Sequence, residues 1–320
     1  TIQDQEVSTT CSIGICVINE HIVDAENALL RADLACELAR SSGGNQVHLH
    51  STIIDDRINC DIDRHWDDLI RSTLDENRYY LVYQPIVGLD ADKDARYEVL
   101  LRVVDETGHV IQPGQFISIA EDTGMIVEID RQITDTAMET LSGGKDGGIT
   151  LFIKVSGHTL ADTDFPDWVR QALERHQLAA NRIVFEITES SAVNNTDKTL
   201  AFVHALHEIG CKIAIEHIGY ATRPAEISKL PVDYLKIDGS LVNKLPSSKN
   251  AQAIFDKIVR HAHKANIPCI AERVDDSSSL VMLWKHQIDY IQGNFVQEPC
   301  KLLDYRFDDE IASGDLAETA

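Results

Sequence analysis

The apolar positions of this chain recur with two different periods, and together they predict an alternating series of strands and helices. From Tyr79 onward, short runs of branched and aromatic residues alternate with longer stretches in which apolar residues return every three or four positions. The predicted strands are Tyr80–Val87, Tyr97–Val104, Thr150–Val155, Arg182–Ile187, Lys212–Glu216, Tyr234–Ile237, Pro268–Ala271 and Tyr290–Gln292. The predicted helices are Gln115–Asp122, Ile129–Leu141, Asp167–His176, Lys198–Ile209, Ala251–Ala265 and Ser277–Lys285.

This alternation predicts the α/β class, with a parallel sheet covered by helices. Eight strands over this length suit a (β/α)8 barrel of the TIM type. The connection Gly88–Arg96 is too short and polar for a helix, so we expect the first two strands to pair antiparallel. The sequence therefore predicts a modified TIM-like barrel.

A smaller unit precedes the barrel. Its pattern predicts a strand at Thr9–Ile18, a helix at Ala25–Arg40 and a strand at Gln46–His50, which together are too small to bury a core alone. We divide the chain into this unit (1–55), a linker helix (56–77), the barrel (78–306) and an acidic, mobile tail (307–320).

Composition excludes some classes of partner. The net charge of −23 argues against binding to DNA or RNA polymers, which requires a basic surface. No apolar run approaches the roughly 18 residues of a spanning helix, so no membrane insertion is expected. Seven cysteines without a C-x-x-C pair predict buried thiols in a reducing cytoplasm.

Charged residues mark the ends of the predicted strands. In the second strand, alternation puts Glu98 and Arg102 on one face, although charged side chains are rarely buried unless they are paired or bound. Functional sites of such barrels lie at the carboxyl ends of the strands. The polar residues at these ends are Lys154, Glu186, Glu189, Glu216, His217, Lys236, Asp238, Glu272 and Gln292. The sequence therefore predicts one polar, mostly acidic pocket.

Ordered motifs between about Asn77 and Cys300 resemble the EAL domain, the cyclic di-GMP phosphodiesterase family. The segment Glu98-Val99-Leu100-Leu101-Arg102 corresponds to E-A-L-L-R in that family. The other matches are Gln84-Pro85-Ile86, Pro113-x-x-Phe116-Ile117, Ala120-Glu121-x-x-Gly124, Glu186-Ile187-Thr188-Glu189-Ser190, Val232-Asp233-Tyr234-Leu235-Lys236-Ile237-Asp238, Ala271-Glu272 and Gln292-Gly293.

The preceding unit resembles the C-terminal half of a GGDEF domain. The matches are Thr10-Cys11-Ser12-Ile13-Gly14-Ile15, Ala32-Asp33-Leu34-Ala35 and Gly44-Asn45. The GG-D/E-E-F turn itself has no match in this chain, so cyclase activity is not expected.

The EAL resemblance implies hydrolysis of a phosphodiester by water held between two divalent metal ions. In the family, the ligands are the Glu of E-A-L, an Asn on the third strand, the first Glu of E-x-T-E-S and both Asp of D-D-F-G. A Lys in L-K-I-D and the Glu of A-E-G-V-E assist the water. This chain keeps Glu98, Glu186, Lys236 and Glu272 at matching positions.

Other positions depart from the family. Lys154 replaces the Asn, Glu216-His217 replaces the Asp pair, and A-E-G-V-E has become Ala271-Glu272-Arg273-Val274-Asp275. A lysine about 4 Å from a divalent ion is repelled by on the order of 8 kcal/mol at an effective dielectric constant near 20. We therefore expect no metal and no catalytic residue, with the Lys154 ammonium neutralising Glu98 and Glu186. A zinc site built from His217, Glu98, Glu186 and Glu216 is the disfavoured alternative.

The residues for holding a ligand remain. Arg102 can grip a phosphate in bidentate fashion, and Lys154 can also offset phosphate charge. In the family, Gln84 and the backbone near Leu100 line the floor. Asp130 and Asp275 can accept from the donor edge of guanine. We favour core packing over ligand stacking for two aromatic candidates near the pocket. The predicted ligand-binding set is Gln84, Glu98, Leu100, Arg102, Phe116, Asp130, Lys154, Glu186, Lys236, Asp238, Glu272, Asp275, Gln292 and Phe295.

These departures predict a degenerate EAL domain that binds cyclic di-GMP without hydrolysing it. The arrangement resembles the FimX type of pilus and twitching-motility regulator, which implies a cytoplasmic location, often at a cell pole. It also implies output through a protein partner such as a PilZ-domain adaptor, or through the pilus machinery. A homodimer is left open. The alternatives are an active phosphodiesterase using Mg²⁺ or Mn²⁺ with Glu216 as substitute ligand, and a protein-docking scaffold that binds no nucleotide.

Overall fold

A computed structural model describes residues 11–18, 29, 31–32, 35–36, 39, 45–49, 69–74, 76, 78–89, 94–104, 108–111, 113–143, 148–222, 227 and 230–307. The chain divides into two compact units, Thr1–Asp68 and Leu69–Ala320. Of the predicted linker helix, residues 69–74 are helical and belong to the second unit, and residues 56–68 lie outside the described residues.

In the first unit, two short strands pair in parallel. Strand β1 (Ile13–Ile15) lies beside β2 (Val47–Leu49), with Ile13 opposite Val47. Gly14 lies against a helix, because a Cβ at this position would be 1.9 Å from the carbonyl oxygen of Ala32. The two predicted strands are thus present in shortened form, and most of the predicted helix lies outside the described residues.

The second unit is a barrel-like sheet, as the sequence predicted. Its strands are β3 (Tyr79–Pro85), β4 (Val87–Gly88), β5 (Arg96–Val104), β6 (Val110–Ile111), β7 (Thr150–Lys154), β8 (Ile183–Thr188), β9 (Lys212–Ile218), β10 (Tyr234–Ile237), β11 (Cys269–Ala271) and β12 (Tyr290–Ile291). The order is β3-β5-β7-β8-β9-β10-β11-β12-β4, and β6 pairs with the end of β5. Since β4 directly continues β3, the sheet nearly closes on itself.

The predicted antiparallel first pair is confirmed. Strands β3 and β5 run antiparallel with Gln84 opposite Glu98, and β5, β7, β8, β9, β10, β11 and β12 follow one another in parallel. At the seam, β12 pairs antiparallel with β4. The β6 hairpin strand has only two residues, too few to show a period, so the sequence did not predict it.

Helices cover the outside of the sheet. They are α1 (Ile117–Asp122), α2 (Ile126–Gly143), α3 (Gly157–Leu160), α4 (Phe165–His176), α5 (Glu189–Asn194), α6 (Thr196–Ile209), α7 (Gly239–Val242), α8 (Lys249–Lys264) and α9 (Ser277–Lys285). The six predicted helices match α1, α2, α4, α6, α8 and α9, whereas α3, α5 and α7 are single turns without a detectable period. Within the described part of the chain, no helix has the length and apolar character needed to span a bilayer.

The interior of the barrel has two layers. An apolar layer near the amino ends of the strands contains Ile86, Phe152, Val184, Ala214, Tyr234 and Ile270. On five of these strands, the residue two positions later is polar. It also faces inward, because side chains alternate faces along a strand. Packing of the apolar layer thus fixes the position of the polar layer.

The carboxyl-terminal segment packs against the barrel. The backbone of Tyr83 pairs with that of Cys300, and the ring of Phe307 packs edge-on against Tyr97 at 5.2 Å between centroids. Phe307 therefore belongs with the barrel, which corrects the predicted start of the tail by one residue. Residues 308–320 lie outside the described residues.

Candidate functional site

The polar layer at the carboxyl ends of the strands is the candidate site. Adjacent strands place their polar residues side by side, since Lys154 lies opposite Glu186 in the register of β7 and β8. Side chains of the layer are almost completely buried, apart from the half-exposed Lys154. The members of this polar layer are Gln84, Glu98, Lys154, Glu186, Glu216, Lys236, Glu272 and Gln292.

Lys236 occupies the centre of the layer. Its ammonium nitrogen lies 2.8 Å from Glu98 Oε2, 2.8 Å from Glu186 Oε1 and 3.1 Å from Glu272 Oε1. The side chain of Lys236 is fully buried, so these carboxylates replace the water that an ammonium group normally requires.

Lys154 has a different partner from the one predicted. Its ammonium nitrogen lies 2.8 Å from Glu216 Oε2, and the carboxylates of Glu98 and Glu186 are paired with Lys236 instead. Lys154 thus acts on Glu98 and Glu186 through its charge, as predicted, but forms an ion pair with neither of them. Lys236 projects inward from the middle of the barrel, whereas Lys154 ends its strand at the half-exposed rim.

The cluster contains more carboxylates than ammonium groups, and this imbalance shifts their pKa values. Burial raises the pKa of Glu98, but the Lys236 and Lys154 ammonium groups outweigh it and hold the value at about 2. Burial raises the pKa of Glu186 to about 8, against the opposing effect of Lys236. Burial also raises the pKa of Glu272. Glu186 and Glu272 thus bind a proton more readily than Glu98 does.

Two glutamines complete the floor of the site. Gln292 Nε2 donates to Glu98 Oε2 and, at 3.0 Å, to Gln84 Oε1. Gln84 Nε2 donates to the carbonyl of Gln297 at 3.1 Å. Gln292 thus helps to fix the orientation of Glu98 through the same carboxylate oxygen that contacts Lys236.

A bulge in β9 brings a second set of groups to the mouth. Leu235 lies opposite Ile215 and Ile237 opposite Ile218, so Glu216 and His217 together oppose Lys236. His217 has a left-handed φ of 61° and is half-exposed. The bulge therefore presents both side chains to the site, where strict alternation would present one.

Of the residues in the alternative zinc site, His217 lies beside Glu216, with 3.6 Å between His217 Nε2 and Glu216 Oε1. Its Nδ1 is 3.3 Å from Asp238 Oδ2, and potential metal-binding atoms of His217, Asp238 and Glu272 lie within 4.8 Å of one another. Glu98 and Glu186 pair with Lys236 instead.

Two predicted ligand residues have structural partners. Asp130 is buried on α2, and its Oδ2 accepts from the Ser156 backbone N–H at 2.8 Å and the Thr159 hydroxyl at 2.6 Å. Burial raises the pKa of Asp130 to about 6. Phe116 is buried beside Leu101 on the outer face of β5. This position fits core packing, the role that we favour for Phe116.

The remaining predicted residues lie around the mouth. Leu100 and Arg102 continue the face of Glu98 along β5 and are partly exposed, and Arg102 Nη1 donates to the Leu101 carbonyl. The loops that carry Asp275 and Phe295 are joined by a bond from the Phe295 N–H to the Val274 carbonyl. Asp275 and Phe295 are both exposed, as a ligand contact at the rim requires.

Glu216 was left out of the predicted ligand-binding set, although it is completely buried in the site and pairs with Lys154. A signal was available in the sequence. Ala214 and Glu216 follow the same small-or-apolar then polar spacing as Phe152 and Lys154 on the neighbouring strand.

Comparison with known proteins identifies the barrel. A family model described as EAL domain matches residues 67–299. The chain belongs to the EAL domain family. The FimX EAL domain from Pseudomonas aeruginosa, solved bound to c-di-GMP, superposes on it with a TM-score of 0.72 at 29% identity, covering 76% of this chain and 99% of that chain.

Curated relatives align with nearly the whole chain. Cyclic di-GMP phosphodiesterase PdeB from Shewanella oneidensis is 29% identical over 298 residues, covering 92% of this chain and 35% of the relative. Signaling protein YkoW from Bacillus subtilis is 27% identical over 303 residues, covering 93% and 37% respectively. The chain thus spans little more than a third of the length of these relatives.

Proposed function

We propose that this EAL domain is a receptor that binds cyclic di-GMP and does not hydrolyse it. The observation that carries the proposal is the ion pair between Lys154, at the position of the family's Asn ligand, and Glu216, at the position of the family's first Asp ligand. Lys236 contacts Glu98, Glu186 and Glu272, and Lys154 contacts Glu216.

The family's pair of divalent metal ions does not fit this arrangement. Family members place a neutral Asn where this chain has Lys154, and an Asp where it has His217. Hard cations such as Mg²⁺ prefer oxygen ligands, and an imidazole favours softer metals. A lysine about 4 Å from a divalent ion is repelled by on the order of 8 kcal/mol at a dielectric constant near 20. The Lys154 ammonium therefore takes the place of metal charge in the site.

Support for the ligand comes from the relatives and from the mouth of the barrel. PdeB is named a cyclic di-GMP phosphodiesterase, and the FimX EAL domain was solved with c-di-GMP. In this chain, Arg102 offers a guanidinium for a phosphate, and the exposed Asp275 and Phe295 offer an acceptor and a stacking face for guanine. The proposed ligand-binding set remains the one predicted from the sequence.

One observation favours a second candidate, a metal-dependent cyclic di-GMP phosphodiesterase. The donor atoms of His217, Asp238 and Glu272 are close enough to share one ion. Calorimetric titration with cyclic di-GMP, with and without Mg²⁺ or Mn²⁺, followed by chromatography of the nucleotide, separates the candidates. A receptor gives saturable heat and intact ligand, a phosphodiesterase gives the linear dinucleotide, and a scaffold gives no heat.

Further parts of the proposal concern the whole protein. By analogy with FimX-type regulators, the first unit is a remnant of a GGDEF domain, and the receptor signals at the cell pole through a PilZ-domain adaptor or the pilus machinery. Co-purification with such an adaptor tests whether the output depends on the nucleotide. The adaptor should co-purify with the wild-type chain and not with Arg102→Ala.

A further inference from the structure

Arg273 adopts an unusual backbone conformation at the mouth of the barrel. It directly follows Glu272 at the end of β11 and has a φ of 52°, in the left-handed region that favours glycine. A long side chain held in this region is strained, and such strain is concentrated at functional positions. The surroundings of the Arg273 side chain should therefore explain this backbone conformation.

The side chain of Arg273 lies across Gly239. A Cβ placed on Gly239 would be 2.6 Å from Arg273 Cβ and 2.8 Å from its Cδ, closer than real atoms approach. Gly239 follows Asp238 and is the first residue of α7. The absence of a side chain at Gly239 thus makes room for the arginine stem.

No residue in the described part of the chain provides a counter-ion for Arg273. Its side chain is exposed, and among the described residues it makes no hydrogen bond or ion pair. Lys154 and Lys236, by contrast, are already paired with glutamates. A cyclic dinucleotide carries two phosphate charges, and its approach to a cluster with excess carboxylate requires an uncommitted cation.

We infer that Arg273 binds a phosphate of the dinucleotide, and that position 239 is glycine because this arginine needs the space. This inference rests on the proposed function. The planar guanidinium fork can donate two parallel hydrogen bonds to phosphate oxygens, which a lysine cannot do. Arg102 on β5 and Arg273, two residues after the end of β11, would then supply two separate cations to the two phosphates.

Titration calorimetry with cyclic di-GMP at low and high NaCl tests the inference. We expect Arg273→Gly to weaken binding about tenfold, the loss of roughly one charge-assisted contact, and to reduce its salt dependence. Glycine adopts the local backbone without strain, so the thermal midpoint should move by less than about 2 °C. Gly239→Ala should also weaken binding, because it displaces the arginine stem. Arg260→Ala removes an exposed arginine on α8 and serves as the charge-matched control.

The double variant Arg273→Gly/Gly239→Ala tests whether Gly239 affects binding only by making room for Arg273. In the Arg273→Gly background, Gly239→Ala should cause no further loss of affinity. Equal affinity of wild type and Arg273→Gly would overturn the inference while leaving the proposed function intact. An undiminished salt dependence in Arg273→Gly would overturn the assignment to phosphate. Absence of binding by the wild type would contradict the proposed function itself.

Discussion

Lys236 Nζ lies 2.8 Å from Glu98 Oε2 in the buried centre of the barrel. This contact joins Glu98, the first residue of the family's E-A-L motif, to Lys236. Glu98 lies on β5 and Lys236 on β10, and strands β7, β8 and β9 lie between them in the sheet. It holds the pKa of Glu98 at about 2 against the effect of burial. The pair consequently supports both the fold and the charge balance of the site.

Replacing Lys236 should destabilise the fold strongly. Lys236→Met leaves the buried Glu98 carboxylate without its main counter-charge, which costs about 3–5 kcal/mol near neutral pH. The pKa of Glu98 is lowered in the fold, so its stabilising contribution is present above its ordinary pKa and is lost as the pH falls towards 2. The cost should therefore shrink at pH 4. Urea unfolding at both pH values measures it, with the exposed Lys244→Met as control. A cost below about 1 kcal/mol at both pH values would contradict this role.

Removing Arg102 should abolish tight binding and leave the fold unchanged. Arg102→Ala deletes a charge-assisted, bidentate phosphate contact, which corresponds to a loss of roughly 10- to 100-fold in affinity. Arg102→Lys keeps the charge and should recover only part of it. Calorimetry with cyclic di-GMP measures the affinity, and Arg170→Ala on the outer helix α4 provides the control. Unchanged affinity in Arg102→Ala would exclude a phosphate contact by this residue.

The buried carboxyl of Asp130 should make stability depend on pH. Its pKa is raised to about 6 by burial, above the ordinary value of 3.8. The stability that the protonated form contributes is thus complete below pH 3.8 and is lost as the pH rises through 6. Asp130→Asn should gain stability relative to wild type between pH 4 and pH 7, by on the order of 3 kcal/mol. Thermal unfolding across this range measures the difference, and a constant difference would show that Asp130 does not titrate as described.

Magnesium should not bind to the wild-type site. The Lys154 ammonium and the His217 imidazole replace neutral and anionic oxygen ligands, so Mg²⁺ should leave the thermal midpoint unchanged. The double variant Lys154→Asn/His217→Asp removes a positive charge and restores oxygen ligands, and Mg²⁺ should then raise the midpoint. A rise of the wild-type midpoint with Mg²⁺ would favour the phosphodiesterase candidate.

The polar layer could be predicted because alternation along a strand is a strong constraint. Phe152 and Lys154 share the inward face of β7, and Tyr234 and Lys236 share that of β10, so each apolar anchor fixes a polar residue above it. Strand and helix positions were predicted to within a few residues for the same reason. Single-turn helices and the β6 hairpin strand have too few residues to show a period.

The partners within the site could not be predicted. Both lysines point inward, and only their depth decides which one meets Glu98: Lys236 is fully buried, whereas Lys154 is half-exposed at the rim. The bulge in β9 adds a residue to the inward face, which a strict period of two does not anticipate. Asp130 finds its partners 26 and 29 positions away on the turn after β7, a contact that no local pattern encodes.

The central claim is that this EAL domain binds cyclic di-GMP and leaves it intact. The most direct measurement is a calorimetric titration in the presence of Mg²⁺ or Mn²⁺, followed by anion-exchange chromatography of the same sample. The account predicts saturable heat and recovery of unchanged cyclic di-GMP, with the same affinity when the metal is omitted. Conversion to the linear dinucleotide, or the absence of any heat of binding, would contradict it.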